Sequence, residues 1–564
     1  MAKPRIAHLA GPNATIQNTP PLVTSNKARR LHGLPLLTDA DGAPARFDAL
    51  RTQRLAAPAT VYVEQFSAHP LERDAAGLYG PPDGYVDGAG EFHEQRRGAD
   101  DRPVYRIELR PEDGLYPLPY MARQADGSAW EDDTAHPGAP AAQSRQAYFP
   151  DGSRLFEEVD RLGVSMTGHG SMISALADVD FHRVVPSGGY TRGLPAGERT
   201  DIGEGDIPPE VLGRDFFTYR PAHLASAPPR PALARIANET QRILATGEYI
   251  GAIWSQGSPR IEETVYWLQL LLDTTLPVCG NAAQRTMGEI SNDGPKNLHD
   301  SVQYLTSRVW ADADGRNRAG MVLIQEQQIF AARDVQKGDA RPGGYVTTGG
   351  HGGIVGGIPH DAPPLLTYLP GVRHSYGSAV NLTRLPGEVA GSLVRDGRRE
   401  AVAVAVKDGK GRLLGEAIPR VSIVKDGNYH ADSADPDPGR EADLNAAIAR
   451  NLANAPLAGF VVEGQSPYGS MTAPGRHLLM QRAAFSGMPV ARVGRGNNDG
   501  FTAGTDIFIG GGNLTATKAR LLLIACMLKL GALPAAADPD APTTEERDAV
   551  AAKVAEYQEV FATH

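Results

Sequence analysis

Residues 249–272 read YIGAIWSQGSPRIEETVYWLQLLL, and three kinds of structure follow one another within them. Residues 249–254 are apolar and aromatic, the pattern of a short strand buried on both faces. Ser255-Gln256-Gly257-Ser258 is a turn. Ser258 followed by Pro259 supplies an N-cap with proline at the first helical position. Beyond it Ile261, Val265, Leu268 and Leu272 recur at i, i+4, i+7 and i+11, which predicts a helix with one buried stripe. Strand, tight turn and helix make a βα unit, and such units assemble into parallel sheets.

The same signature recurs on both sides of this stretch. Arg5–Ala10 predicts a first strand running into a loop at 11–15, and residues 321–324 predict a third. Further on, 420–424, 460–462 and 489–493 are strand-like, while 442–453 and 477–485 are helical. Thr515 caps a predicted helix over Ala516–Leu530, with Gly531 as its left-handed stop and Pro534 beyond. The expectation is an α/β fold, with a larger N-terminal parallel-sheet domain over 1–345 and a smaller C-terminal α/β domain over 381–564. GGYVTTGGHGGIVGGIPHDAPP at 343–364 reads as loop, most of it within a linker at 346–380. Its glycines do not follow a strand as G-x-G-x-x-G, so no dinucleotide site is expected there. Two stretches break the rhythm. Residues from about 30 to 160 hold strand-like TVYVEQF and VYRIEL among many Pro, Gly, Asp and Arg, and 388–418 reads as β-hairpins around KDGKGR. Both are expected to be β-rich insertions, the first either a lid or surface decoration. No fixed-period repeat is present.

Composition narrows the function classes. Of 564 residues, 41% are hydrophobic and 22% charged, as in ordinary core-forming proteins of two or three domains. Lys and Arg number 56 against 66 Asp and Glu, a net charge of -10, which argues against a nucleic-acid or membrane partner. Cys279 and Cys526 each lie in an apolar run and are expected as buried thiols, with no disulfide framework. No run approaches the roughly 18 apolar residues a membrane span requires. The start, MAKPRIAHLAGPN, lacks the apolar core of a signal peptide, and a cytoplasmic setting is expected. Hydrolase elbows, zinc-binding helices, paired C-x-x-C and Walker loops are all missing. The 15 histidines are scattered, and neither metal nor cofactor is expected.

Three segments at the C-terminal ends of predicted strands remain, where open α/β sheets place ligands. They are Asn13-Ala14-Thr15-Ile16-Gln17, the turn from Ser255 to Arg260, and Ala332-Arg333-Asp334-Val335-Gln336-Lys337. Two hydroxyls and a lysine suit a nucleophile, a relay and a base, since a desolvated lysine takes a proton from a hydroxyl. Backbone N–H groups in the turns at 11–15 and 257–259 would hold an oxyanion. Singly, each has an ordinary reading: Ser258 as helix cap, Thr15 as turn threonine, Lys337 as solvated charge.

Taken in order, these segments resemble the bacterial-type L-asparaginase/glutaminase family. SNDGPKNLHDSV at 291–302 resembles its S-x-DGP-x-N-L segment, WSQGSPRIEETVYWL its T-H-G-T-D-T-x-E-E-T-A motif, and RDVQK its R-D-V/A-x-K motif. PNATIQN resembles the nucleophile motif T-G-G-T-I, and GFVVEGQSPYGS, MPVARVGR and NLTATKARLLL resemble the second domain. The resemblance implies Thr15 as nucleophile, Ser258 as second hydroxyl and Lys337 as its partner. It implies a substrate pocket with Ser226, Gly257, Pro259 and Arg260. It also implies a homo-oligomer, dimer or tetramer, whose neighbouring copy brings Ser470 to a shared site.

Departures from the pattern bear on specificity. Pro259 stands where the family has the carboxylate that holds a substrate α-ammonium, and an ammonium buried without a counter-charge costs several kcal/mol. Arg260 replaces a small residue and is either a donor fork for a substrate carboxylate or a solvated first-turn arginine. Asn13 and Ala14 replace the two glycines, and Ala28 stands where a tyrosine is expected. Tyr62, Tyr79, Tyr85, Tyr105, Tyr116, Tyr120 and Tyr148 are candidates to replace it. The expected activity is hydrolysis of a carboxamide, or cyclic amide or imide, without a free α-amino group. It would pass through a Thr15 acyl-enzyme with a Ser258–Lys337 proton relay. The rivals are an ester or lactone hydrolase on the same nucleophile, a non-catalytic small-molecule binder, and an ordinary L-asparaginase.

Overall fold

The computed structural model describes residues 4–10, 59–63, 83–87, 92–99, 101–109, 176–183, 230–258, 260–285, 293–339, 341, 343–347, 353–360, 362–396, 398–426, 442–496 and 502–564. The chain divides into two compact units. The first comprises Met1–Pro228, Glu248–Ser258 and Asn281–Thr306, and the second Pro229–Gly247, Pro259–Gly280 and Ser307–His564. The described helices are α1 (Ala232–Leu244), α2 (Arg260–Leu271), α3 (Gly294–Ser307), α4 (Ala442–Asn454), α5 (Pro474–Phe485), α6 (Ala516–Leu530) and α7 (Thr544–Thr563). None of them is long and apolar enough to cross a membrane.

In the first unit the strands are β1 (Arg5–Ala10), β2 (Ala59–Val63), β3 (Gly84–Val86), β4 (Phe92–His93), β5 (Arg102–Leu109), β6 (Asp178–Arg183) and β7 (Ala252–Ser255). β1 runs parallel between β6 and β7, with Leu9 opposite His182 on one side and Trp254 on the other. Ile6, Ala7, Leu9, Ala252, Ile253 and Trp254 are all fully buried, as expected of strands covered on both faces. TVYVEQF and VYRIEL do pair: β2 and β5 lie antiparallel, Val61 opposite Ile107.

β8 (Val278–Asn281) runs parallel to β9 (Val322–Gln325), Cys279 opposite Val322, and all of these residues but Asn281 fall in the second unit. The chain then reverses into β10 (Gln328–Ala331) through Glu326 and Gln327 at φ 47° and 65°, a tight hairpin turn. β11 (Val335–Lys337) pairs with β12 (Tyr345–Thr347), and β10 pairs antiparallel with β13 (Ile354–Gly357), which meets β14 (Leu365–Leu366). The Gly-rich stretch expected to be loop therefore carries strands. At Gly356 a Cβ would come 2.1 Å from the Leu365 carbonyl oxygen, so glycine there permits close strand approach.

β15 (Glu388–Arg395) and β16 (Arg398–Ala405) form the expected hairpin, but it turns at Asp396. KDGKGR makes a separate turn, in which the Asp408 carboxylate accepts from the Lys410 and Arg412 N–H groups at 2.8 and 2.9 Å. β17 (Arg420–Lys425), β18 (Ala458–Gly464), β19 (Val490–Gly494) and β20 (Ile509–Gly510) form a parallel sheet in sequence order. α6 packs on it, its Thr515 cap accepting from the Lys518 N–H at 3.3 Å. Gly531 stops α6 at φ 77°, ψ -163°, a glycine-only extended conformation rather than the expected left-handed helical one. α2 also departs from expectation. Besides Ile261, Val265 and Leu268 it buries Glu262, Tyr266, Trp267, Gln269 and Leu270, because α1, α6 and β9 of this unit all pack on it. Both cysteines are free and buried, as expected, and burial pushes both thiols up.

Candidate active site

The turn after β7 is held from below by buried polar pairs of the first unit. His8 Nε2 lies 2.9 Å from Ser255 Oγ, and both residues are buried. Trp254 Nε1 donates to Gln256 Oε1 at 3.0 Å, and the Gln256 N–H donates to the Asn281 carbonyl at 3.1 Å. Gly257 and Ser258 follow, half-buried. A buried polar group that is satisfied in this way locks its backbone, because leaving it unpaired is costly.

The segment SNDGPKNLHDSV is described from Asp293 onward. The Asp293 carboxylate accepts from the Gln284 N–H at 3.0 Å, the Arg285 N–H at 2.8 Å and Asn297 Nδ2 at 3.0 Å. Asn297 Nδ2 also donates to the Ala282 carbonyl at 2.9 Å. Asp293 and Asn297 are buried, so these two motif residues latch the 281–285 turn to the start of α3.

In the second unit Arg260 opens α2, and Glu262 and Glu263 sit in its first turn, where the helix dipole favours acids. Lys337 ends β11, half-buried, and its N–H donates to Glu262 Oε2 at 2.5 Å. Burial raises the Glu262 carboxyl above its usual range, opposed by the Lys518 charge and the Lys337 N–H. Lys518 comes from α6 and is 2% exposed. Its ammonium donates to the Glu262 carbonyl, and to the Ala332 carbonyl at 2.7 Å. It lies 5.4 Å from the Tyr266 ring centre. Burial pulls this amine down to about 8, while Glu262, Glu263 and Asp334 hold it up. Arg333 pairs with Asp334 at 2.7 Å, and it donates to Asn513 Oδ1 at 2.8 Å and to the His564 carbonyl at 2.9 Å.

Thr15, Ser226 and Pro259 lie outside the described residues, as do Tyr79, Tyr116, Tyr120, Tyr148 and the side chains of Tyr62 and Tyr105. Tyr85 is half-buried in β3. Gly257 and Ser258 belong to the first unit, and Arg260, Lys337 and Ser470 to the second. Through Glu262, the second unit joins Lys337 to the helix that Arg260 opens. Ser470 is exposed in the turn after β18, its carbonyl accepting the Gln465 N–H at 3.0 Å. Sequence reasoning passed over His8, Glu262 and Lys518. Lys518 lies beside Arg520 just before the apolar run 521–528, and nothing local sets the two cations apart. Among the described residues no group of three or more His, Cys, Asp or Glu is arranged to hold a metal.

Residues 223–347 match the family described as "Asparaginase, N-terminal". The glutaminase-asparaginase of Acinetobacter glutaminasificans is 25% identical over 235 residues, 41% of this chain and 58% of that protein. The probable periplasmic L-asparaginase of Haemophilus influenzae is 25% identical over 280 residues, 48% of this chain and 64% of that protein. This chain thus spans less than two thirds of the length of either relative. A solved structure of a probable cytoplasmic L-asparaginase from Campylobacter jejuni is 18% identical, covering 70% of this chain and 88% of that one. Its TM-score is 0.44.

Proposed function

We propose, from the likeness of this chain to the asparaginase family, that it hydrolyses a small carboxamide, or a cyclic amide or imide, that lacks a free α-amino group. Thr15 is the nucleophile, Ser258 and Lys337 relay its proton, and the Gly257 turn lies against the forming oxyanion. The Thr15 oxygen adds to the carbonyl carbon while its proton passes to the relay. The tetrahedral adduct collapses as the C–N bond breaks, and the leaving nitrogen takes that proton. Water then adds to the Thr15 ester, the C–O bond to threonine breaks, and the carboxylic acid leaves. Ser226 and Arg260 hold the rest of the substrate, Arg260 through a carboxylate. The same reading has the chain work in the cytoplasm as a homo-oligomer, dimer or tetramer, with Ser470 contributed by a neighbouring copy.

The observation that carries this reading lies inside the matched segment. Ser258 and Lys337 are both present there, and by the motif resemblance Pro259 stands where the family has its ammonium-binding acid. The carboxylate of Glu262, four residues after Ser258, fixes the Lys337 backbone. A hydroxyl and lysine kept without the acid keep the acyl-transfer chemistry and lose the amino-acid handle.

Ammonia release by the purified chain tests it, with asparagine, glutamine, amides of the same length without the amino group, and cyclic imides as substrates. Turnover is expected on the amides or imides lacking the amino group. Thr15→Ala is expected to lower it by about 10³-fold or more. Full activity in that variant, or a preference for asparagine, overturns the proposal.

A further inference from the structure

We propose that Lys518 is a positioning residue for this reaction: from α6 its buried ammonium clamps the first turn of α2 to the segment that leads into Lys337. The inference rests on the amidohydrolase reading and adds to it Lys518, which lies within NLTATKARLLL and to which that likeness assigned no role.

The geometry is a closed loop of contacts within one unit. Lys518 binds the carbonyl of Glu262 at one end and the carbonyl of Ala332 at the other. Five residues after Ala332, the Lys337 N–H returns to the Glu262 carboxylate. Both ends of the 332–337 segment are therefore tied to a single residue of α2, one end by Glu262's side chain and the other through Lys518. Cutting the Lys518 link removes the tie between α2 and the start of this segment, leaving the Glu262 carboxylate, the pairing with β12 and the Arg333 bonds to set the direction in which Lys337 leaves β11. Charged groups approach Lys518 from two elements: Glu262 and Glu263 from α2, Arg333 and Asp334 from the turn before β11. Glu263 is shared with Arg520, at 2.7 Å.

Stability does not account for this lysine. Its amine titrates at about 8 in the folded chain against 10.5 as its ordinary value, so the folded state disfavours the charged form. An apolar side chain in the same space would avoid that cost. The clamp works only while charged, because a neutral amine binds two carbonyls more weakly than an ammonium does. Losing the proton around pH 8 therefore loosens the 332–337 segment, and activity acquires an alkaline limb.

Lys518→Met and Lys518→Arg, made in the full chain, test this on the amide the unmodified protein hydrolyses, from about pH 6 to pH 10. Lys518→Met is expected to lower kcat about tenfold or more with little change in KM, and to abolish the alkaline limb. Lys518→Arg, always charged, is expected to recover part of kcat and move the limb upward. Unchanged kcat and an unchanged limb in both variants overturn the clamp. Should Lys518→Met fail to fold, the unmodified chain and Lys518→Arg decide, and a limb at the same pH in both is the negative result. If no amide is hydrolysed at all, the amidohydrolase reading fails by itself. Amide hydrogen exchange then reads the clamp: protection over 332–337 should fall in Lys518→Met, and unchanged protection refutes it.

Discussion

At the scale of single residues, the sharpest question is what Pro259 does to specificity. A proline side chain offers an ammonium neither charge nor acceptor, whereas a carboxylate there would supply both. Pro259→Asp is expected to raise kcat/KM for asparagine, relative to the matching amide without an amino group, by about tenfold or more, each tenfold being worth about 1.4 kcal/mol. Steady-state rates on the two substrates give the ratio, and a flat ratio would place selectivity elsewhere. Thr15, Ser258 and Lys337 were open to proposal from the sequence, because the residues beside them in the chain resemble the family's motifs. Glu262 and Lys518 were not. The role of Glu262 depends on an N–H 75 positions away and that of Lys518 on a carbonyl 256 positions away, and no local pattern encodes such a partner.

At the scale of elements, hydrophobic patterning was a good guide wherever a segment answers to its neighbours. Arg5–Ala10, Arg420–Lys425 and Ala516–Leu530 form where period and cap place them. The failures have causes. α7 was unread although Thr543 and Glu546 form a capping box, because its surface turns carry little periodicity. The Gly-rich run at 343–364 was read as loop because glycine density usually marks one. In β13 the glycine serves the opposite purpose, letting two backbones touch. Gly356→Ala is accordingly expected to destabilise the chain by more than about 1 kcal/mol in urea unfolding. A neutral result would mean that β13 and β14 do not pair in solution.

At the scale of the whole molecule, one buried residue gathers distant parts of the second unit. His564 Nε2 accepts the Ala379 N–H at 2.8 Å, while its carbonyl accepts from Arg333 at 2.9 Å and from Tyr266 Oη at 3.1 Å. Burial pulls its imidazole down to about 4 from 6.5. The unfolded chain therefore takes up this proton before the folded chain does. The stability from a neutral His564 is present above pH 6.5 and lost as pH falls through about 4. Chemical denaturation across that window should show the loss, and His564→Gln should flatten it. An equally steep decline in the variant would assign it to other groups. By itself the sequence determined the α/β class, the places of β1, β7, β9, β17, β18 and β19 and of α2, α4, α5 and α6, and the family likeness, because these rest on spacings of a few residues and on motif order. Tertiary structure alone decided which buried polar groups meet. Lys518 with Ala332 and His564 with Ala379 are separated by 186 and 185 positions, and a desolvated charge or ring nitrogen has no meaning until its partner is in place.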